Sequence, residues 1–404
     1  MSRNDSFLYK GKQIEMHKVA HELKVTHVME GSVRRAGGRL RVTAQLIDGA
    51  TGQHVWAERY DRDASDIFAI QDEISHAIVK ALKLRLLPEE KKAIERRGTD
   101  SVEAHDLYLM ARQLYVTGQE ADARSAQAVV NLCEQATEVD PNYAQAWALM
   151  AIGYRTLREI GVKAAGGMMA AERAIALAPN LAEAHAVKAQ ILQADGDTAA
   201  AAAEVAVALR LDPESYEVNR SAGRLNYQLR RYEDAAGYYE KAVDLMEADL
   251  NSGGMLVSCY TVLGNMTAMR RVAETLFKRA EAVLVHDANN SGATNYSAVA
   301  LAALGEGDRA KRRMKRAILV DPDNFSLRYN FACALCVLLK DKEAALEMLK
   351  SVFLRITEAF LPYAKADPDF ESLHDDPRYQ AMVAAAEARL EAAKTAVEPA
   401  GQNA

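Results

Sequence analysis

"LAEAHAVKAQILQADGDTAAAAAEVAVALRLDP", residues 181–213, decides how this chain folds. Two alanine-rich helical runs flank a break at Asp195-Gly196-Asp197, and Asp212-Pro213 closes the second run. Ala189, Gly196, Ala201 and Ala208 are small where two antiparallel helices have to approach closely. Proline lacks the N–H and clashes with the preceding turn, so it marks the junction between one pair of helices and the next. The same closure recurs as "EVDPN" at Pro141, "ALAPN" at Pro179 and "LVDPD" at Pro322. Pro179 and Pro213 are 34 residues apart, and 34 residues before Pro322 lies another loop, "VHDANN".

The pattern extends in both directions. "YEVNRSAGRLNYQLRRYEDAAGYYEKAVDL" (216–245) places Gly223, Tyr232, Ala235, Tyr239 and Ala242 in the corresponding roles. "TNYSAVALAALGEGDRAKRRMKRAILVDP" (294–322) supplies Ala298, Gly305, Ala310 and Ala317. Looser units begin around Trp147, Ala151 and Tyr154, around Leu256 to Gly264, and at "FSLRYNFACALC" (325–336). The period and the small-residue positions resemble the tetratricopeptide repeat family. About seven helix pairs are expected over 102–352, forming a superhelix whose first helices line a concave groove.

Groove-facing positions in the clear units are Glu183, Ala186, Gln190 and Gln193, then Glu217, Arg220, Arg224 and Tyr227, then Asn295, Val299 and Tyr329. Of these, Arg220, Arg224, Tyr227, Asn295 and Tyr329 are the candidate residues for holding a peptide. Arg220 and Arg224 stand one helical turn apart, a spacing that can grip an acidic peptide in fork geometry. The competing view makes them a solvated face paired with Glu217 and Asp234. The Lys and Asn set with which tetratricopeptide clamps hold a terminal carboxylate is not present.

The first hundred residues read differently. "IEMHKVAHELK" (14–24) spaces Ile14, Val19, Ala20 and Leu23 on one helical face. "THVMEGSVRR" and "RLRVTAQLID" alternate about Gly37-Gly38, with Leu40, Val42, Ala44 and Leu46 on one side, which predicts a β-hairpin. "HVWAERY" follows the turn at Gly52 as a third strand. "SDIFAIQDEISHAIVKALKLRLL" carries an apolar stripe of Ile67, Ile70, Ile74, Ile78 and Leu82, with Ser65 as N-cap.

Composition narrows the function classes. The formal charge is −6, and residues 1–100 hold 18 Lys/Arg against 15 Asp/Glu, so the acidity belongs to the helical part. That balance argues against a nucleic-acid binder, which shows a basic stripe. No run approaches the ~18 apolar residues of a membrane span, and the N-terminus lacks a signal-peptide core. Four cysteines in 404 residues do not make a disulfide framework, so a cytoplasmic setting is expected. His17 and His21 at i, i+4 lack a third ligand, and Cys333-x-x-Cys336 lies inside a repeat helix without a second pair, so both read as structural. His185 takes the repeat's usual aromatic position as packing. "GVKAAGG" (161–167) is an insertion, not a phosphate loop. No catalytic constellation is visible, so no enzyme activity and no cofactor or metal is expected.

The block "EGSVRRAGGRLRVTAQLIDGATGQHVWAERYDR" followed by "DIFAIQDEI" resembles the TolB-amino-terminal-like α/β domain of bacterial signalling proteins. "ADPDFESLHDDPRYQAMV" (366–383) is similar to that family's C-terminal ending. The resemblance implies an α/β domain ahead of tetratricopeptide repeats, downstream of a class III adenylate cyclase or a winged-helix domain. The family's opening strand and helix have no counterpart ahead of "SRNDSFLYKGK", so the chain looks like the downstream portion of a longer architecture.

The expected organisation is mostly α. A truncated TolB-like module at 1–87 is followed by a charged linker at 88–101 ("EEKKAIERRGTDS" within it) and repeats over 102–352. A helical cap at 353–390 and a disordered tail at 391–404 complete it. The expected function is a non-catalytic scaffold that binds a protein or peptide in the groove. The alternative is the regulatory part of a class III adenylate cyclase or of a winged-helix regulator. Residues 1–62 are expected to be less stable than the repeats, or to pair with a second copy through an exposed sheet edge.

Overall fold

The structure, a computed structural model, describes residues 16–22, 25–63, 67–82, 98–117, 123–159, 162, 164–246, 248–322, 324–358 and 360–397. The chain divides into two compact units, one of residues 1–106 with 139–142 and one of 107–138 with 143–404.

In the first unit, α1 (Met16–Glu22) precedes three antiparallel strands in the order β1 (His27–Ala36), β2 (Arg39–Asp48) and β3 (His54–Asp63). Gly37 turns the hairpin at φ +59, a conformation glycine adopts without a Cβ penalty. The second turn is held by Asp48, whose Oδ1 accepts from the Thr51 N–H at 2.7 Å and the Ala50 N–H at 3.0 Å. The alternation sorts the faces as expected: Leu40, Ala44 and Leu46 are buried. Helix α2 (Ile67–Ala81) lays Ile70 and Ile74 on Leu40, Val42, Trp56 and Tyr60. On the exposed flank, Arg39 and Arg41 both grip Asp61 across the strands, at 2.9 and 2.7 Å. Among the described residues strand β1 pairs with β2 alone, and its Met29 and Val33 are exposed on the sheet's apolar face, opposite Leu46 and Val42. The Ser65 cap, Ile14 and residues 88–97 of the linker lie outside the described residues.

The second unit is an array of helix pairs. Described in chain order, they are α3 (Val102–Thr117) with α4 (Ala123–Val139), of which residues 107–138 fall in this unit, α5 (Ala144–Glu159) with α6 (Gly167–Leu177), and α7 (Ala182–Ala194) with α8 (Thr198–Leu211). Then come α9 (Tyr216–Gln228) with α10 (Tyr232–Leu245), α11 (Leu250–Val262) with α12 (Met266–His286), α13 (Ser291–Ala303) with α14 (Gly307–Val320), and α15 (Phe325–Val337) with α16 (Lys342–Arg355). First helices pack on first helices, α5 on α7, α7 on α9, α11 on α13 and α13 on α15, and so form the inner layer of a tetratricopeptide-repeat superhelix.

Small residues set the spacing within each pair. A Cβ added at Gly223 would lie 2.9 Å from the ring of Tyr239, which is fully enclosed. Ala189, Ala201 and Ala208 are buried at the α7–α8 contact, as are Ala298, Ala310 and Ala317 three pairs further on. The five intra-pair turns from α7 to α16 each carry one left-handed residue. Gly196 and Gly264 provide it at φ +88 and +69, whereas Arg230 and Lys340 adopt φ +58 and +54 in equivalent turns. Three of the second helices, α8, α12 and α16, start on side-chain caps: Asp197 accepts from the Ala200 N–H at 3.0 Å, Asn265 from the Ala268 N–H at 3.1 Å and Asp341 from the Ala344 N–H at 3.1 Å.

Beyond the array, α17 (Leu361–Ala366), a 3₁₀ turn (Pro368–Leu373) and α18 (Pro377–Val397) follow. Helix α18 continues past the tail boundary placed at 391, through "EAAKTAV", in which Glu391, Ala392, Ala393, Lys394 and Ala396 are good helix formers. Residues 398–404 lie outside the described residues.

Gly223→Val is expected to destabilise the array by about 1–3 kcal/mol, because Tyr239 has no room to move. Gly237→Ala, where an added Cβ meets nothing within 4 Å, is expected to be neutral or mildly stabilising. Thermal unfolding followed by circular dichroism distinguishes them, and equal melting temperatures would contradict the packing argument.

Candidate functional site

The inner face of the array separates into two chemically different parts. Toward its N-terminal half, charged and phenolic side chains from α3, α5 and α9 converge. Arg155 is buried and donates from Nη1 to Glu159 Oε2 at 2.6 Å. Arg224 reaches across from α9 to Glu159 Oε1 at 2.5 Å. Burial opposes ionisation of Glu159, but Arg155, Arg224 and Arg220 together hold its carboxyl down to about 2. Glu217 sits in the same cluster, where burial pushes its carboxyl up against the pull of Arg220, Tyr115 and Arg112.

Among the described residues Arg220 does act on Glu217, whereas Arg224 pairs with Glu159 rather than with Glu217 or Asp234, the partners of the solvated-face view. Its carboxylate comes from a helix pair two steps away. The side chains of Arg224 and Glu159 keep 29% and 27% of their exposure, so they line the groove wall. Sequence spacing on one helix cannot reveal such a partner, since it depends on how successive pairs stack.

The C-terminal half of the face is covered by the chain itself. The segment that follows α17 crosses from α15 to α9. Tyr329 on α15 donates its hydroxyl to Asp367, and Tyr227 on α9 donates to Asp369 Oδ1 at 3.3 Å. Both tyrosines are consequently buried, at 5% and 3% exposure. Phe370 is fully enclosed, with its ring edge-on to Tyr329 at 5.3 Å. Beyond it, Lys342 Nζ donates to the Ser372 carbonyl at 2.8 Å, and Ser372 Oγ lies 3.2 Å from Cys336 Sγ.

Of the five candidate residues, the structure brings Tyr227 and Tyr329 together on this segment and Arg220 and Arg224 together near Glu159. Asn295 belongs to neither group. It is buried on α13, with Oδ1 lacking a hydrogen-bond partner among the described residues. His185, expected as packing, also makes polar contacts: its ring nitrogens lie 2.6 Å from Glu204 Oε2 and 2.9 Å from the Pro179 carbonyl.

The segment places two carboxyl groups and a thiol side by side. Ligand atoms of Cys333, Asp367 and Asp369 all fall within 4.8 Å of one another. Burial, with the neighbouring Asp367 charge added, raises the Asp369 carboxyl to about 7. Burial raises Asp367 as well, against the Tyr329 hydrogen bond, and pushes the Cys333 thiol well up. Nothing in the sequence of residues 366–383 locates them on the groove wall.

No protein-family model matches the chain. A Rhizobium meliloti (strain 1021) protein provisionally named adenylate cyclase 3 is 45% identical over 152 residues. That match covers 38% of this chain and 25% of the relative, so the chain spans well under two thirds of the relative's length. Solved structures with a similar trace include the human IFIT1 dimer with m7Gppp-AAAA, 14% identical at a TM-score of 0.47 over 83% of this chain and 78% of that one. A thermophilic TPR protein of Thermus thermophilus is 15% identical at a TM-score of 0.37, over 47% and 98% of the two chains. Among the described residues no helix is long and apolar enough to cross a membrane.

The buried carboxyl pair predicts a pH dependence. Asp369 keeps its proton up to about pH 7 when the segment is docked, whereas a free aspartate releases it near 3.8. The stabilisation of the docked state is thus fully present below about 3.8 and is lost as pH rises through about 7. Hydrogen exchange of residues 366–375 is expected to accelerate relative to Asp369→Asn across this window. Identical profiles in the two proteins would contradict it.

Proposed function

We propose that this chain is a non-catalytic interaction module whose tetratricopeptide groove holds an acidic stretch of a partner protein, in bacterial signalling. One observation carries the reading: the groove wall already holds an Asp-x-Asp stretch, that of residues 367–369, through hydroxyl donors on two separate first helices. Arg220 and Arg224 extend the same donor surface along α9 with guanidinium groups suited to carboxylates. Affinity in such a groove comes from side chains fixed on rigid helices, which lose little freedom on binding.

A second reading is favoured by the named relative. A 45% identity over 152 residues to a protein named as an adenylate cyclase supports a regulatory role beside such an effector. In that reading the β-rich module is the TolB-like domain of the same architecture, and the exposed edge of β1 pairs with a second copy of the chain. A winged-helix effector would serve the same arrangement. Intact mass of the endogenous protein separates the two readings. A product near 44.3 kDa favours the free module, and a substantially larger one favours the regulatory segment.

Replacing Arg220 and Arg224 together with alanine is expected to weaken an acidic peptide by about 10-fold or more while far-UV circular dichroism is retained. Unchanged affinity measured by titration calorimetry would remove these arginines from the reading.

A further inference from the structure

The segment from Asp367 to Leu373 is built like a bound peptide. Its anchoring polar contacts come from its side chains and from one carbonyl: Asp367 to Tyr329, Asp369 to Tyr227, and the Ser372 carbonyl to Lys342. Its aromatic anchor, Phe370, fills an apolar pocket beside Tyr329 and Tyr379. A segment serving only to close the array would do so best with apolar residues, as neighbouring carboxyls are costly to bury. Instead two aspartates are placed next to each other and next to Cys333. The groups facing them are Tyr227 and Tyr232 from α9 and α10, Cys259 from α11, Tyr329, Cys333 and Cys336 from α15, Tyr363 from α17, His374 just past the segment, and Tyr379 from α18. Two fixed cations lie on the segment's path, and both are engaged elsewhere than at the aspartates. Arg230 Nη1 lies 3.9 Å from Glu371, and Lys342 is taken by the Ser372 carbonyl.

We infer that residues 367–373 act as an internal stand-in for the partner's peptide, and that the groove receives an Asp-x-Asp-aromatic stretch by displacing this strap. The inference rests on the groove being an acidic-peptide site. It adds which pattern is recognised and what keeps the site closed. Because the strap is part of the chain, its effective concentration at the groove is in the millimolar range, so a free peptide competes at a large disadvantage. The apparent affinity for the peptide is reduced by the fraction of molecules in which the strap is undocked. Above about pH 7, where Asp369 loses its proton, the charge conflict between Asp367 and Asp369 makes the strap a weaker occupant than its contact area alone implies.

The test uses the full chain and a fluorescein-labelled peptide with the sequence of residues 365–376, "KADPDFESLHDD", followed by anisotropy. Phe370→Ala loosens the strap and is expected to raise peptide affinity by at least ~10-fold over the unaltered chain, with a scrambled peptide not bound. Measured above about pH 7, Asp369→Asn removes the charge conflict while keeping the acceptor, so it is expected to tighten the strap and lower peptide affinity. This second variant preserves volume and keeps the test decisive if Phe370→Ala fails to fold. Binding that is equal in all three proteins overturns the inference. So does a folded Phe370→Ala that takes up no peptide. Either outcome leaves the groove reading to be judged on the arginine pair with a partner's own acidic stretch.

Discussion

The distance between two helices of a pair is the constraint from which the rest of this structure follows. Alanine or glycine on one helix and a larger side chain on its partner fix that distance, as Gly223 and Tyr239 do. Once it is fixed, each pair presents its first helix inward, and stacking carries the side chains of that helix to the groove. Arg224, Tyr227 and Tyr329 owe their positions to this spacing rather than to any local signal. A Cβ in the wrong place would therefore be felt at the groove wall, away from the contact it disturbs.

This constraint also explains what the sequence reveals. Every pair meets the same packing requirement, so Ala189, Gly196, Ala201 and Ala208 reappear in register at Ala298, Gly305, Ala310 and Ala317. The strands are equally legible, since a period of two and turns at Gly37 and Gly52 leave few alternatives. The two groove clusters are not. The partner of Arg224 is Glu159, a residue on a different pair, and the partner of Tyr227 is 142 residues away. Neither contact repeats, so neither leaves a periodic trace. The candidate tyrosines are recognisable because they face inward, while their occupancy by residues 367 and 369 depends on where a non-repeating segment comes to rest.

The two clusters handle charge in opposite ways. Around Glu159, three arginines more than offset the cost of burial, and the carboxylate stays ionised far below neutral pH. Around Asp369, tyrosine hydroxyls supply hydrogen bonds but no compensating charge, and burial wins. One half of the inner face is thus permanently charged, and the other changes its charge near neutrality. A ligand spanning both halves would meet a fixed anchor and a conditional one.

A stack of helix pairs in contact only with its neighbours behaves as a spring, stretching and twisting by small changes at each interface. The link from Tyr227 through residues 367–369 to Tyr329 ties the fourth pair to the seventh, bypassing the two between. That tie turns an open coil into a braced one over its second half. The Arg224–Glu159 bridge adds a second, shorter brace from the second pair to the fourth, so pitch changes are resisted from the second pair onward.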